Sequence, residues 1–143
     1  MLTRSILALI AALALAGPAM SADYPPAGPH TGPAEAAGVC ADPAVLRRIA
    51  SRFAWAERHT WRRGYVIAGL ESPRPSGHPY YEPGLIPRDY CMADAVMTNG
   101  DIRRVYYAIE HGLGFVGLGR NVDFCVRGLD PWHIHDGACR TVR

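Results

Sequence analysis

Three observations predict an α+β domain in which an N-terminal helix packs on an antiparallel sheet of about four strands. Asp42-Pro43 opens a segment whose apolar residues recur at helical spacing, and Asn99-Gly100 joins two segments of alternating hydropathy. Four cysteines, Cys40, Cys91, Cys125 and Cys139, run through the same stretch. The chain has 143 residues, of which 49% are hydrophobic and 20% charged, as expected of one globular domain. All fifteen of its basic residues are arginine. Without a lysine, a P-loop lysine, a Schiff-base lysine, a kinase-type lysine and a Ser-Lys dyad are excluded.

Arg4 precedes an apolar run from Ile6 to Ala16, and Gly17-Pro18 leads into Ala19-Met20-Ser21. A charged start, a short apolar stretch and small residues at a cleavage site predict a signal peptide over 1–21. The run is too short to cross hydrocarbon, which needs about 20 residues, so the mature chain is expected to lack a transmembrane segment. Residues 22–38 hold four prolines and three glycines and read as a flexible leader. The folded unit is then 39–143, in a periplasmic or secreted protein.

Asp42 can accept from the free N–H groups of a first turn, and Pro43 has no N–H to leave unpaired, so a helix is expected from 43 to about 60. Val45, Leu46, Ile49, Ala50, Phe53 and Ala56 share its core side, with Arg47, Arg48, Arg52, Arg58, His59 and Arg62 opposite and Trp55 among them. A strand follows at 65–70, before prolines 73, 75, 79, 83 and 87 that are expected to forbid regular structure. After this crossover, strands at 89–98 and 102–110 are expected to meet in a type I′ hairpin at Asn99-Gly100. A fourth strand is expected over 115–127, where Val122, Phe124 and Val126 alternate with polar residues. Cystatin-like and nuclear-transport-factor-like folds share this order, an analogy of architecture that carries no function.

An even cysteine count in an exported domain predicts two disulfides. A strand lies between those of Cys91 and Cys125, which places them about 9–10 Å apart, beyond the ~7 Å limit of a bridge. Cys40–Cys91 with Cys125–Cys139 is the preferred pairing, and Cys40–Cys125 with Cys91–Cys139 stays open. The nearest two cysteines are fourteen apart, which argues against a zinc site built on Cys-x₂₋₄-Cys.

Among motifs, Gly112-Leu113-Gly114-Phe115-Val116-Gly117 matches a dinucleotide-binding glycine pattern, but a strand follows it where a helix is required, so no cofactor is indicated. His133-Ile134-His135-Asp136 is the most site-like cluster. Two histidines spaced by two in an extended segment point to the same side and could ligate Zn²⁺ or Cu²⁺, with a third ligand from His59, His78, His111 or a carboxylate. An acid/base hydrolase can be drawn with His133 or His135 and Glu110 or Asp94. The plainer alternative is a solvated tail with Trp132 plugging the sheet edge.

Residues 43–63 contain six arginines and one acid, Glu57. That segment carries a net charge of +5 in a mature chain whose fourteen arginines exceed its thirteen acids by one. Arg48, Arg52, Trp55, His59 and Arg62 therefore form the candidate binding face, for an anionic envelope component or an acidic protein. Export disfavours nucleic acid as the partner, and an ordinary solvated face is the alternative. No nucleophile elbow or zinc-protease motif is present, so a non-enzymatic binding or interaction domain is the preferred expectation.

The stretches Arg88-Asp89-Tyr90-Cys91, Tyr107-Ala108-Ile109-Glu110 leading to Gly114-Phe115, and Asn121-Val122-Asp123-Phe124-Cys125-Val126-Arg127-Gly128-Leu129-Asp130-Pro131-Trp132, with Cys139-Arg140, resemble small exported proteins of alphaproteobacteria. The resemblance covers about 39–143. It implies export and disulfides and transfers no activity or catalytic residue.

Overall fold

The computed structural model describes residues 33–76, 86–113 and 119–143. The stretch read as a signal peptide, most of the stretch read as a leader, His78 with residues 77–85, and residues 114–118 of the glycine-rich stretch lie outside the described residues. Helix α1 spans Pro33–Cys40 and so begins inside the stretch read as leader, where Pro33 suits a first helical turn. Asp42 caps α2 (Pro43–Ala56): its Oδ1 accepts from Ala44 N–H at 2.8 Å. The carboxyl of Asp42 is held below the usual carboxylate range, by that backbone donor first and by Arg120 second.

The helix expected to reach residue 60 instead widens into a π-turn at Glu57–Trp61, closed by Arg62 N–H donating to Glu57 O at 2.7 Å. Arg62 ends it in the left-handed conformation with φ 53°. The cause is visible in Glu57, which is only 3% exposed and accepts from Arg63 Nη2 at 2.5 Å and from Arg63 N–H at 3.3 Å. The wide turn brings a carboxylate inside and gives it a cation.

Strands β1 (Ile67–Pro75), β2 (Arg88–Met97), β3 (Ile102–His111) and β4 (Arg120–Val126) form one antiparallel sheet in sequence order. The expected crossover is absent, because β1 pairs directly with β2. The expectation that Pro73 and Pro75 forbid a strand is also corrected. β1 is an edge strand, and Ser76 N–H bonds inward to Tyr90 O, so the preceding Pro75 has its nitrogen on the free side, where no donor is needed. A register shift between Glu71 and Arg74 accommodates the other proline, beside Ser72 at φ 49°.

At the β2–β3 hairpin only Gly100, and not Asn99, has positive φ. The expected type I′ turn is therefore replaced by a three-residue loop with Gly100 in the left-handed position. Asn99 Oδ1 accepts from Asp101 N–H at 3.1 Å, which holds its backbone in the ordinary region. The described part of the fourth strand, β4, begins at Arg120, and residues 115–118 of the expected strand lie outside the described residues.

Val45, Ile49 and Phe53 of α2 pack on one sheet face, against Cys91, Ala93, Ala95, Val105, Tyr107, Ile109, Val122 and Val126. The small side chains at 93 and 95 let the helix approach. Leu46, Ala50 and Ala56, placed on the same side by periodicity, are half-buried. Tyr107 is fully buried and its hydroxyl donates to Cys40 O at 2.6 Å; burial pushes that phenol well above its ordinary range.

Both preferred disulfides are present. Cys40–Cys91 has Cα atoms 5.7 Å apart and ties α1 to β2, while Cys125–Cys139, at 5.6 Å, folds the tail over the other sheet face. There Cys125 and Cys139 form a second buried cluster with Ala108 and Val142. A 3₁₀ turn at Arg140–Val142 ends the chain.

Candidate functional site

The arginine-bearing side of α2 divides into two parts. Arg48 and Arg52 reach over the free edge of β4, where Arg48 Nη1 donates to Arg120 O at 3.4 Å and Arg52 Nη1 donates to Val122 O at 2.6 Å. Arg52 also lies over the Phe124 ring, 5.8 Å from its centroid. Asp42 meets the Arg120 guanidinium at 2.7 Å, so three contacts run in step along helix and strand. These two members of the candidate binding face hold the helix to the sheet edge.

The other part faces water. Trp55 is 58% exposed and stacks on His59 with ring centroids 4.8 Å apart and planes 23° from parallel. His59 Nδ1 lies 2.8 Å from Trp55 O, which fixes the ring across one helical turn. Arg47, Arg58 and Arg62 are exposed, and among the described residues none of them forms an ion pair. Together they present an aromatic pair among uncompensated cations.

Arg63, in contrast, is fully engaged. Besides Glu57 it donates to Leu129 O at 3.1 Å and lies over the rings of Trp61 at 4.8 Å and Tyr65 at 5.5 Å. It locks the π-turn to the loop after β4, and sequence reasoning missed it because its partners are brought together only by folding. Glu57 as the single acid of a basic segment was the available signal.

Beside this lock lies a cleft of about 340 Å³ including its open mouth, to which α2 and the π-turn contribute Phe53 and Trp61, β4 contributes Phe124, Cys125 and Val126, and the tail contributes Ile134 and His135. Trp132 and Ile134, near it, are 66% and 61% exposed. Trp132 does not plug the sheet edge as expected. It stands edge-on to Trp61, with centroids 6.3 Å apart.

The tail histidines do not sit in an extended segment. His133 N–H donates to Asp130 O, Asp136 N–H to His133 O and Cys139 N–H to Asp136 O, and His133, Asp136 and Cys139 all have positive φ. These successive turns replace the alternation on which a shared ligand face depended. Among the described residues no three His, Cys, Asp or Glu side chains converge to hold a metal ion. His133 is exposed. His135, 12% exposed at its side chain, has Nδ1 3.0 Å from Thr141 Oγ1 and Nε2 3.5 Å from Asp123 Oδ1.

The carboxylates drawn with those histidines are engaged elsewhere. Glu110 accepts from Asn121 at 3.0 Å and from Arg88 at 2.8 Å, which hold its carboxyl below the usual range in that order of influence. Asp94 pairs with Arg104 at 2.8 Å and with Arg74 at 3.8 Å. His111 meets Asp89 at 2.6 Å.

Fold and surface define a small disulfide-linked α+β protein in which a helix covers a four-stranded antiparallel meander. No helix among the described residues is long and apolar enough to cross a membrane. The chain matches no family model, no curated protein and no solved structure.

Proposed function

We propose that this chain is an exported, non-enzymatic binding domain that docks an anionic envelope partner through the outward side of α2. The observation that carries the proposal is the Trp55–His59 stack, exposed on a helix anchored at both ends and flanked by Arg47, Arg58 and Arg62, which have no carboxylate partner among the described residues. A fixed aromatic platform among cations suits phosphate or carboxylate groups presented next to flat or apolar surface. The paired cysteines and the apolar N-terminal run support export to an oxidising compartment. Capture from envelope extract at rising salt tests this, with wild type beside Arg47→Ala/Arg58→Ala/Arg62→Ala. Salt-sensitive partners lost by the variant support the proposal, and retention of every partner rejects it.

A second function, an acid/base hydrolase centred on the tail, is favoured by one observation: His135 is held between Thr141 and Asp123 at the wall of an apolar cleft. Release of nitrophenol from short-chain nitrophenyl esters, compared between wild type and His135→Ala, decides it. Equal rates in the two proteins remove the hydrolase.

A further inference from the structure

The cleft touches three consecutive residues of β4. Along a strand, successive side chains point to opposite sheet faces, so Phe124 leans toward α2 while Cys125 is bridged to the tail on the other face. A cavity that meets Phe124, Cys125 and Val126 together must straddle the strand at its free edge. Among the described residues β4 is the last strand of the sheet, and that edge has no neighbouring strand.

The state of the edge follows from the pairing. Arg127 N–H bonds to Arg104 O, and with the unbroken β3–β4 register this turns the backbone groups of residues 120, 122, 124 and 126 outward. The Arg120 and Val122 carbonyls accept from Arg48 and Arg52. The Phe124 N–H donates to Asp123 Oδ1 at 3.1 Å, and the Val126 carbonyl accepts from Leu129 N–H at 2.9 Å. Among the described residues this leaves the N–H groups of Arg120 and Val122 unpaired beside the guanidinium groups, and the Phe124 carbonyl and the Val126 N–H unpaired at the cleft. In one half of the edge the carbonyls are covered by guanidinium groups, and in the other one carbonyl and one N–H stay open at the cleft. The opposite edge of the sheet, on β1, is blunted by Pro75 and a register shift.

We infer that the β4 edge is a strand-addition site for an extended peptide, with an apolar residue seated in the cleft and acidic residues lying toward Arg52 and Arg48. The incoming strand donates one N–H to the Phe124 carbonyl and accepts one bond from Val126 N–H. Its apolar side chain covers Phe53, Trp61 and Ile134. The two arginines supply the charge complementarity that selects acidic residues at the other end. This is a second site, separate from the outward side of α2, and it rests on the docking proposal only for the sign of the charge.

The test uses the mature, oxidised protein and a blocked heptapeptide, Val-Thr-Leu-Thr-Glu-Thr-Glu, beside the same peptide N-methylated at leucine. Amide exchange and chemical shifts are followed residue by residue. The plain peptide is expected to bind saturably and to slow exchange at Val126 at least tenfold, with N-methylation weakening binding tenfold or more because the donor to Phe124 O is lost. Equal binding of both peptides, or unchanged exchange at Val126, overturns the inference. Anionic phosphatidylglycerol vesicles form a parallel arm: vesicle binding without peptide binding rejects the strand site alone, and failure of both rejects the docking proposal as well.

Discussion

Arg52 on α2 donates to the Val122 carbonyl of β4 at 2.6 Å and lies over the Phe124 ring, so a helix side chain closes the edge of the sheet that the helix covers. Exposed sheet edges invite pairing with other chains, and a cation seated on an edge carbonyl blocks it. Arg52→Ala is expected to cost about 1–2 kcal/mol, the range for a partly buried bond from a charged donor. Urea unfolding reads the loss, and light scattering is expected to show concentration-dependent association. A monomeric variant of unchanged urea midpoint contradicts the edge-closing role.

Glu57 and Arg63 test the π-turn. Removing the cation leaves a buried carboxylate, a change that costs about 3–5 kcal/mol when both partners are fully enclosed. Arg63 is partly exposed, so Arg63→Ala is expected to cost roughly 2–3 kcal/mol after allowance for solvent screening. Glu57→Gln/Arg63→Ala is expected to recover part of that loss in the same urea assay.

The two disulfides are expected to differ in worth. They span 51 and 14 residues, and loop-closure entropy then gives about 4 and about 3 kcal/mol respectively. Paired Cys→Ala variants, Cys40/Cys91 against Cys125/Cys139, are expected to rank in that order by unfolding midpoint. Proteolysis is expected to separate them further, with the tail cut only in the second.

Acid sensitivity has a specific source in Glu110. Its folded-state carboxyl sits below its ordinary value because Asn121 and then Arg88 favour the charged form. Such a group contributes stability above its unfolded pKa, near 4.5, and loses it as pH falls through the lower folded value. Glu110→Gln is therefore expected to flatten the loss of stability below about pH 4.5. An acid limb identical to wild type contradicts the assignment.

Much of this architecture was legible in the residues. Asp42-Pro43 marked the start of α2 because capping is a local property, and Cys91 and Cys125 were separable because strand spacing and disulfide reach are fixed lengths. What escaped depends on tertiary position. Pro75 can sit in a strand only when that strand is an edge with its nitrogen outward, which composition does not reveal. Asn99-Gly100 fits two hairpin loops, and the bond from Asp101 N–H to the Asn99 side chain selects the longer one. His133 and His135 were read together as one ligand face, but the turns that Cys139 anchors separate them and bring Thr141 and Asp123 to His135 alone. Arg48 and Arg52 were read as a surface for a partner, and folding directs them to β4.

The central claim is that the outward side of α2 is an anion-docking surface. Co-sedimentation with phosphatidylglycerol vesicles, against phosphatidylcholine vesicles at low and at physiological salt, tests it most directly in wild type and in Arg47→Ala/Arg58→Ala/Arg62→Ala. At about 1 kcal/mol per arginine near an anionic surface, the variant is expected to bind about a hundredfold more weakly, with little binding of either protein to neutral vesicles. Equal affinity of the two proteins for anionic vesicles, or wild-type binding unaffected by lipid charge, would contradict the claim.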